Sequence, residues 1–369
     1  MGMIFRLFKS FAVAVFIVFS LHVSVPALGA GGEDHDAEKK EGFDARKIIF
    51  GHVLNAHEFH FLDYRGKDGK LHPVTIPLPV ILYSPQRGLT VFMSSKFHHG
   101  HQPYKGYKLD NGVIKPVKED GVTVDESVKV YDISLTRNVV QMLLALTVFV
   151  WVMLVVAKKY KRGEGVKTAP RGSQSLLEPI ITFVRDEVAK PNLGHKYEKY
   201  LPYLLTLFFF ILINNLFGLI PGSANVTGNI AFTLLLGVIS FVVIIFSSNR
   251  HYWGHIFNPP GVPLGVKFIL VPVEFLSFFI KPFALIIRLF ANMVAGHIII
   301  ICLISLIFIF GQLNQYAGWG TTIISIAFTV FIYMIEVLVA FIQAFVFTLL
   351  TSVFVGQAFE GEHHGAHEH

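Results

Sequence analysis

Three stretches of the chain, at about 133–157, 201–220 and 230–247, are apolar over close to the ~20 residues that a helix needs to cross a hydrocarbon slab about 30 Å thick. Two more, at about 266–310 and 319–358, are twice as long. Forty helical residues extend roughly 60 Å, so these segments either break or lie far more obliquely than the usual tilt of about 0–40°. Pro272 and Pro282 permit bending in the first of them, because neighbouring helices can satisfy the backbone groups that a proline frees. Between the first two crossings, SLLEPIITFVRDEVAK spaces Leu176, Ile180, Phe183 and Val184 at helical intervals against charged positions. That pattern predicts an amphipathic helix on the inner membrane surface.

The N-terminal third has a different pattern. Arg6 and Lys9 precede an apolar stretch that ends in the small-residue cluster Ala27 to Ala30, as in a secretory signal over residues 1–30. Residues 31–130 are polar, with short runs such as HPVTIPLPVILY, GLTVFMSS and VTVDESVKVYD punctuated by Gly and Pro. They predict a small β or irregular exported domain, followed by a membrane domain at 131–360 and a histidine-rich tail at 361–369. The loop KKYKRGEGVKTAPR carries six basic residues against the single acid Glu164, which marks it as cytoplasmic. The uncharged connections PGSANVTGN and GQLNQYAG then face outward, giving an exported N-terminus and a cytoplasmic C-terminus. The predicted fold class is an all-α integral membrane protein with five membrane-crossing helices, two of them long and strongly tilted, an inner-surface amphipathic helix and a small β or irregular exported N-terminal domain.

Composition agrees and narrows the chemistry. Of the 369 residues 53% are hydrophobic and only 15% charged, which a soluble core of this size would not require. The formal charge of +6 is scattered among loops, so nucleic acid is not an expected partner, whereas membrane lipid is. A single cysteine, Cys302, excludes an intrachain disulfide. The histidines at 98, 99 and 101 and in the tail read as solvated loop residues, and no metal or cofactor is expected. There is neither a G-x-x-x-x-G-K-[ST] loop nor a nucleophile-and-base motif, so the chain does not read as an enzyme in its own right.

What remains is a set of polar residues inside apolar helices. Arg288 lies within LIIRLFANMVAGHIII, where a fixed charge costs roughly 2.5–3.5 kcal/mol at the bilayer centre even on the lenient insertion scale. Glu274, Lys281, Arg288 and Asn292 follow at intervals of seven, seven and four and share one helical face, with Ser277 close by. Glu274 and Lys281 can neutralise one another through water or a neighbour, while Arg288 has no sequence-local carboxylate. His297 faces elsewhere, and Glu336, the only charge between Thr321 and Ala358, shares a face with Gln343. A histidine and a carboxylate on adjacent spans can relay protons. A secondary transporter would use the same residue types, but it should show repeated halves, and none is visible here.

At RLFANMVAGH (288–297), EFLSFFIKPF (274–283), EVLVAFIQAFVFTLLTSVF (336–354) and, more weakly, INNLFGLIPGSANVTGN (213–229), the chain resembles subunit a of the F-type ATP synthase. The resemblance runs from about 133 to 360 and leaves the exported domain unexplained. It implies a stator in the bacterial inner membrane that works against a c-ring of small subunits, alongside b-type peripheral stalk subunits and the rest of the ATP synthase complex, with the ATP chemistry on other subunits. It further implies that Arg288 is the stator arginine, Asn292 its partner amide and Gln343 the glutamine of the last helix. His297 and Glu336 would be the inlet pair, with acid and imidazole exchanged relative to some members. Glu274, Ser277 and Lys281 would line the cytoplasmic side, and Asn215 matches a family asparagine, whereas Gly218 stands where an acid is sometimes found.

Overall fold

A computed structural model of the chain describes residues 56–65, 71–100, 102–110, 112–118, 120–165, 172–220, 223–258 and 262–359. The expected signal sequence at 1–30 and the histidine-rich tail at 361–369 lie outside the described residues.

Among the described residues the N-terminal region has three small antiparallel sheets. β1 (Glu58–Arg65) pairs with β2 (Leu71–Pro77), and β3 (Pro79–Ser84) lies between β4 (Gly88–Met93) and the short β7 (Tyr131–Asp132). β5 (Tyr107–Asp110) pairs with β6 (Val113–Pro116). Side chains alternate across a strand, so Val80 and Leu82 of β3 and Phe92, opposite Val80, point to one side. There they form a core with Phe97, Tyr107 and Ile114.

The strand pairing continues past residue 130. Past β7, Ile133 N donates to Ile81 O at 2.9 Å and Leu135 N to Pro79 O at 3.3 Å, so the chain continues alongside β3. Arg137 N, at the start of the first long helix, donates to Ala56 O at 2.9 Å. His57 Nε2 lies 2.8 Å from Asp132 Oδ2, and Ser134 N donates to Asp132 Oδ1 at 2.9 Å. Burial raises the Asp132 carboxyl, but the hydrogen bond and charge of His57, together with the bonds from Ser134, outweigh it and hold the group below its ordinary range.

The helical region comprises α1 (Arg137–Lys161), α2 (Ser173–Phe183), a π-helical turn (Val184–Ala189), α3 (Lys190–Leu193), a 3-10 turn (Gly194–Lys196), α4 (Tyr197–Gly218), α5 (Ile230–Ser247), α6 (Arg250–Phe257), α7 (Leu264–Leu313) and α8 (Gln315–Phe359). Among the described residues five helical stretches are long and apolar enough to cross a membrane: Arg137–Lys161, Ser173–Gly218, Ile230–Ser247, Leu264–Gln312 and Gly318–Ala358. Of the two alternatives for the long segments, the chain takes the unbroken one. α7 runs through Pro272 and Pro282 for 50 residues and α8 for 45. At about 1.5 Å per residue each is more than twice the thickness of the hydrocarbon slab, so neither can stand upright in it.

The predicted amphipathic segment forms as a helix, and its stripe is graded. Leu176 is exposed and Val184 fully buried. Val188, Ala189 and Leu193 extend the buried side under α8, where Ser352 Oγ donates to Val188 O at 3.2 Å. Gly356 of α8 makes this crossing possible, since a β-carbon there would collide with the Asn192 carbonyl. Gly237 does the same between α5 and α7, where a β-carbon would overlap the Ile286 side chain. Helices in lipid gain little from the hydrophobic effect and depend on such close approach. The shared core includes Leu207, Phe208 and Ile211 of α4, Leu285 and Leu289 of α7, and Ala344 and Phe347 of α8.

The junction predicts an acid-sensitive attachment. A carboxyl with a lowered folded-state pKa stabilises the fold above its unfolded pKa of about 4, and that stabilisation fades as pH falls through the folded value. Asp132→Asn should weaken the junction by roughly 1–3 kcal/mol at neutral pH and flatten its acid dependence. Hydrogen exchange at the amides of Ile133 to Arg137, followed from pH 7 to pH 3 in the intact protein, checks this; an unchanged profile would contradict it.

Candidate functional site

The polar residues gather where α7 and α8 run antiparallel. On α7, Leu285, Leu289, Met293 and Ile300 form the buried stripe that packs into the bundle. Arg288 and Asn292 lie on the opposite, open side, together with Ala284, Ala291 and Ala295. Among the described residues Arg288 makes neither a salt bridge nor a hydrogen bond, so its charge meets no carboxylate of its own chain. The three alanines beside it leave a shallow strip on which another helix could pack closely.

Two contacts fix the register of the α7–α8 pair. Asn292 Nδ2 donates to Gln343 Oε1 at 3.1 Å, which ties the open face to a glutamine that is itself buried. Four residues further along α7, Gly296 receives the carboxylate of Glu336, since a β-carbon at 296 would overlap that group. Glu336 is thereby 6% exposed, beside the half-buried His297. The two side chains do not bond one another directly: His297 Nε2 and Glu336 Oε2 are both buried without a partner among the described residues. Gln343 Nε2 is in the same condition. Asn215 of α4 completes the group, its Nδ2 donating to Ala340 O at 3.3 Å and its Oδ1 left without a partner.

Arg288, Asn292, His297, Glu336, Gln343 and Asn215 are thus brought into one region. Glu274, Ser277 and Lys281 are not. They stand 14, 11 and 7 residues before Arg288, so Glu274 is roughly 21 Å away along the helix. Lys281 Nζ sits 5.3 Å from the Phe354 ring centroid, a cation–π contact with α8. Arg288 therefore stands between a cluster where α4 ends and α5 begins and a second group further back along α7.

Several polar residues here went unread in the sequence. Ser325 Oγ and Thr329 Oγ1 of α8 are buried without partners. With Glu336 and Gln343 they follow at intervals of four, seven and seven, so the signal was present in the spacing. Asn225 and Thr227 lie in an uncharged connection whose spacing has no helical or strand period, so no periodicity places them: both are buried, and Asn225 Nδ2 donates to Met293 O of α7 at 3.2 Å. Hydroxyls and amides buried in this way cost roughly 1–3 kcal/mol each unless water meets them, so the arrangement suits a wet proton path through an otherwise dry bundle.

The family model described as ATP synthase A chain matches residues 139–356. The chain belongs to the ATP synthase A chain family. Similar proteins include ATP synthase subunit a of Chloroherpeton thalassium, 46% identical over 243 residues that make up 65% of this chain and 71% of that one. ATP synthase subunit a 2 of Chlorobaculum tepidum is 45% identical over 64% and 67% of the two chains. ATP synthase subunit a of Pelodictyon phaeoclathratiforme is 41% identical over 70% and 76%. A second family model, a domain of unknown function, matches residues 48–133. Family membership places the chain in ATP synthesis and proton transport as a multi-pass inner-membrane subunit, and favours this over the secondary transporter.

The register of α7 against α8 has a direct check. With Cys302 replaced by alanine, cysteines at 292 and 343 should be joined in intact membranes by a bis-thiol reagent about 5–8 Å long, a reach comparable with side chains that meet across paired elements. Cysteines at 281 and 343 should not.

Proposed function

We propose that this chain is the stator half of a rotary proton motor, in which Arg288 separates two proton half-channels and faces a ring of small subunits, each with one membrane-embedded carboxylate. The observation that carries the reading is the position of Arg288: a charge that cannot be discharged, without a partner among the described residues, on an open face of α7 flanked by alanines. A fixed cation on a membrane-crossing helix needs an anion, and on this reading the moving ring supplies it. The obliquity that α7 and α8 require suits two helices laid along the curved side of such a ring.

Protons would reach a ring carboxylate from the exported side through His297 and Glu336, and neutralise it so that it can face lipid. After almost a full turn they would leave toward the cytoplasm near Glu274, Ser277 and Lys281. As a carboxylate comes up to Arg288, the guanidinium favours its ionised form and so drives the proton off. The same positive charge opposes a proton passing straight between the half-channels. Asn292 and Gln343 would hold the approach beside Arg288, and Asn215 would hold α8 at the level of Glu336. Lysine is a poor substitute at 288, because its ammonium can lose a proton and lacks the planar fork. The basic loop after α1 would lie in the cytoplasm, b-type stalk subunits would brace the stator, and ATP chemistry would take place on other subunits.

Arg288→Ala should abolish proton-driven ATP synthesis while the complex still assembles; normal synthesis in membranes carrying the variant would refute the assignment. Glu336→Leu should slow passive proton flow through the membrane sector more than it reduces the amount of assembled complex. Wild-type flow in that variant would remove Glu336 from the path.

A further inference from the structure

The β3–β4–β7 sheet has two apolar sides, and among the described residues only one of them is packed. Val80 and Leu82 turn into the core with Phe92, so Pro79, Ile81 and Tyr83 of β3 point the other way, as do Leu89, Val91 and Met93 of β4. The pairing sets this second side in three rows. Tyr131, Tyr83 and Leu89 form one, with the two tyrosine rings stacked at 6.3 Å. Ile133, Ile81 and Val91 form the next, and Leu135, Pro79 and Met93 the last. No position in the rows is charged, and Leu89 and Val91 are 66% and 54% exposed. An antiparallel sheet that faces water on one side carries polar residues there, so this side is made to be covered.

The position of the rows identifies the cover. Leu135 is separated from the start of α1 at Arg137 by Thr136 alone. Residues 139–157 of α1 carry no charge and extend roughly 28 Å, close to the thickness of the hydrocarbon slab, so its boundary falls at the first turn of α1. The row of Leu135, Pro79 and Met93 therefore lies at that boundary, and the bonds from Arg137 N to Ala56 O and between His57 and Asp132 hold the sheet there. On α1 itself the apolar surface resumes at Leu143 and Leu144, which are 42% and 50% exposed. Successive rows stand about 7 Å apart and run from aliphatic residues beside α1 to the two tyrosines furthest from it, and tyrosine is the side chain that favours the headgroup level. β4 leaves the sheet at the end beside α1, into a 3-10 turn (Ser94–Gly100) that carries the exposed Lys96, a cation suited to lipid phosphate. A protein partner would call for a polar rim and hydrogen bonds across the contact. The only polar side-chain groups in the rows are the hydroxyls of Tyr83 and Tyr131.

We infer that this side of the β3–β4–β7 sheet rests on the membrane surface from which α1 emerges, with the row of Leu135, Pro79 and Met93 at the acyl boundary and Tyr83 and Tyr131 among the headgroups. The N-terminal region is then a lipid-bound brace for the first crossing. This goes beyond the proton path and does not depend on it.

The test uses the whole complex in phosphatidylcholine vesicles. In a Cys302→Ala background, Met93→Cys, Val91→Cys and Leu89→Cys each carry a fluorophore. Leu144→Cys on α1 serves as the lipid reference and Val122→Cys, at a loop residue 72% exposed, as the water reference. A doxyl-labelled lipid should quench Met93→Cys nearly as strongly as Leu144→Cys, with quenching falling through Val91→Cys to Leu89→Cys. Iodide should quench all three several-fold less than Val122→Cys. If iodide reaches Val91→Cys as freely as Val122→Cys, the face is in water and the inference is overturned. Protection of Val91→Cys from both quenchers overturns it as well, because a protein then covers the face. Should a labelled variant assemble poorly, the unsubstituted complex gives a second readout: a phospholipid with a diazirine near its headgroup should label the segment 79–93, and labelling confined to the membrane-crossing helices overturns the inference.

Discussion

A guanidinium holds its proton at any pH a cell reaches, so a helix that carries one through apolar surroundings must meet the charge by packing. α7 does this by dividing its surface. Leu285, Leu289 and Met293 take the side that packs into the bundle, and Arg288 is left on the side that the chain leaves open. Polar neighbours are drawn away from it rather than toward it: Asn292 is bonded to Gln343, Lys281 rests on Phe354, and Glu336 is folded against Gly296. The arrangement keeps a cation unneutralised from within and available to an anion from outside.

Close backbone approach holds the surrounding helices in place. Gly237, Gly296 and Gly356 each stand where a β-carbon would strike another element, and the three contacts join α5 to α7, α7 to α8, and α8 to the segment around Asn192. One of the three also has a chemical consequence. The space that Gly296 leaves is filled by a carboxylate, so the contact that sets helix spacing also places Glu336 beside His297. Structure and proposed proton path share the same residue, and a substitution there would disturb both.

The N-terminal region is attached differently. Its sheet is continued by residues 133–135 to the first turn of α1, and the bonds among His57, Asp132, Ser134, Ala56 and Arg137 make the attachment stiff where a flexible linker would have sufficed. Its second matching family model describes a domain of unknown function, and the outer side of its β3–β4–β7 sheet exposes Tyr83, Leu89, Val91 and Met93.

The sequence carried the fold class because apolar runs of about 20 residues or more have few other uses, and it carried Arg288, Glu336 and the heptad-spaced stripe because a charge inside such a run is conspicuous. Helical intervals also contained Ser325 and Thr329, although hydroxyls are too common to stand out. Only the tertiary structure decided that α7 passes Pro272 and Pro282 without breaking. It alone paired Asn292 with Gln343, put Glu336 against Gly296, and buried residues 224–227 of the α4–α5 connection, with Asn225 bonded to α7. Those contacts join residues 40 to 70 positions apart, and periodicity reports which side of a helix a residue takes, never what another element brings to meet it.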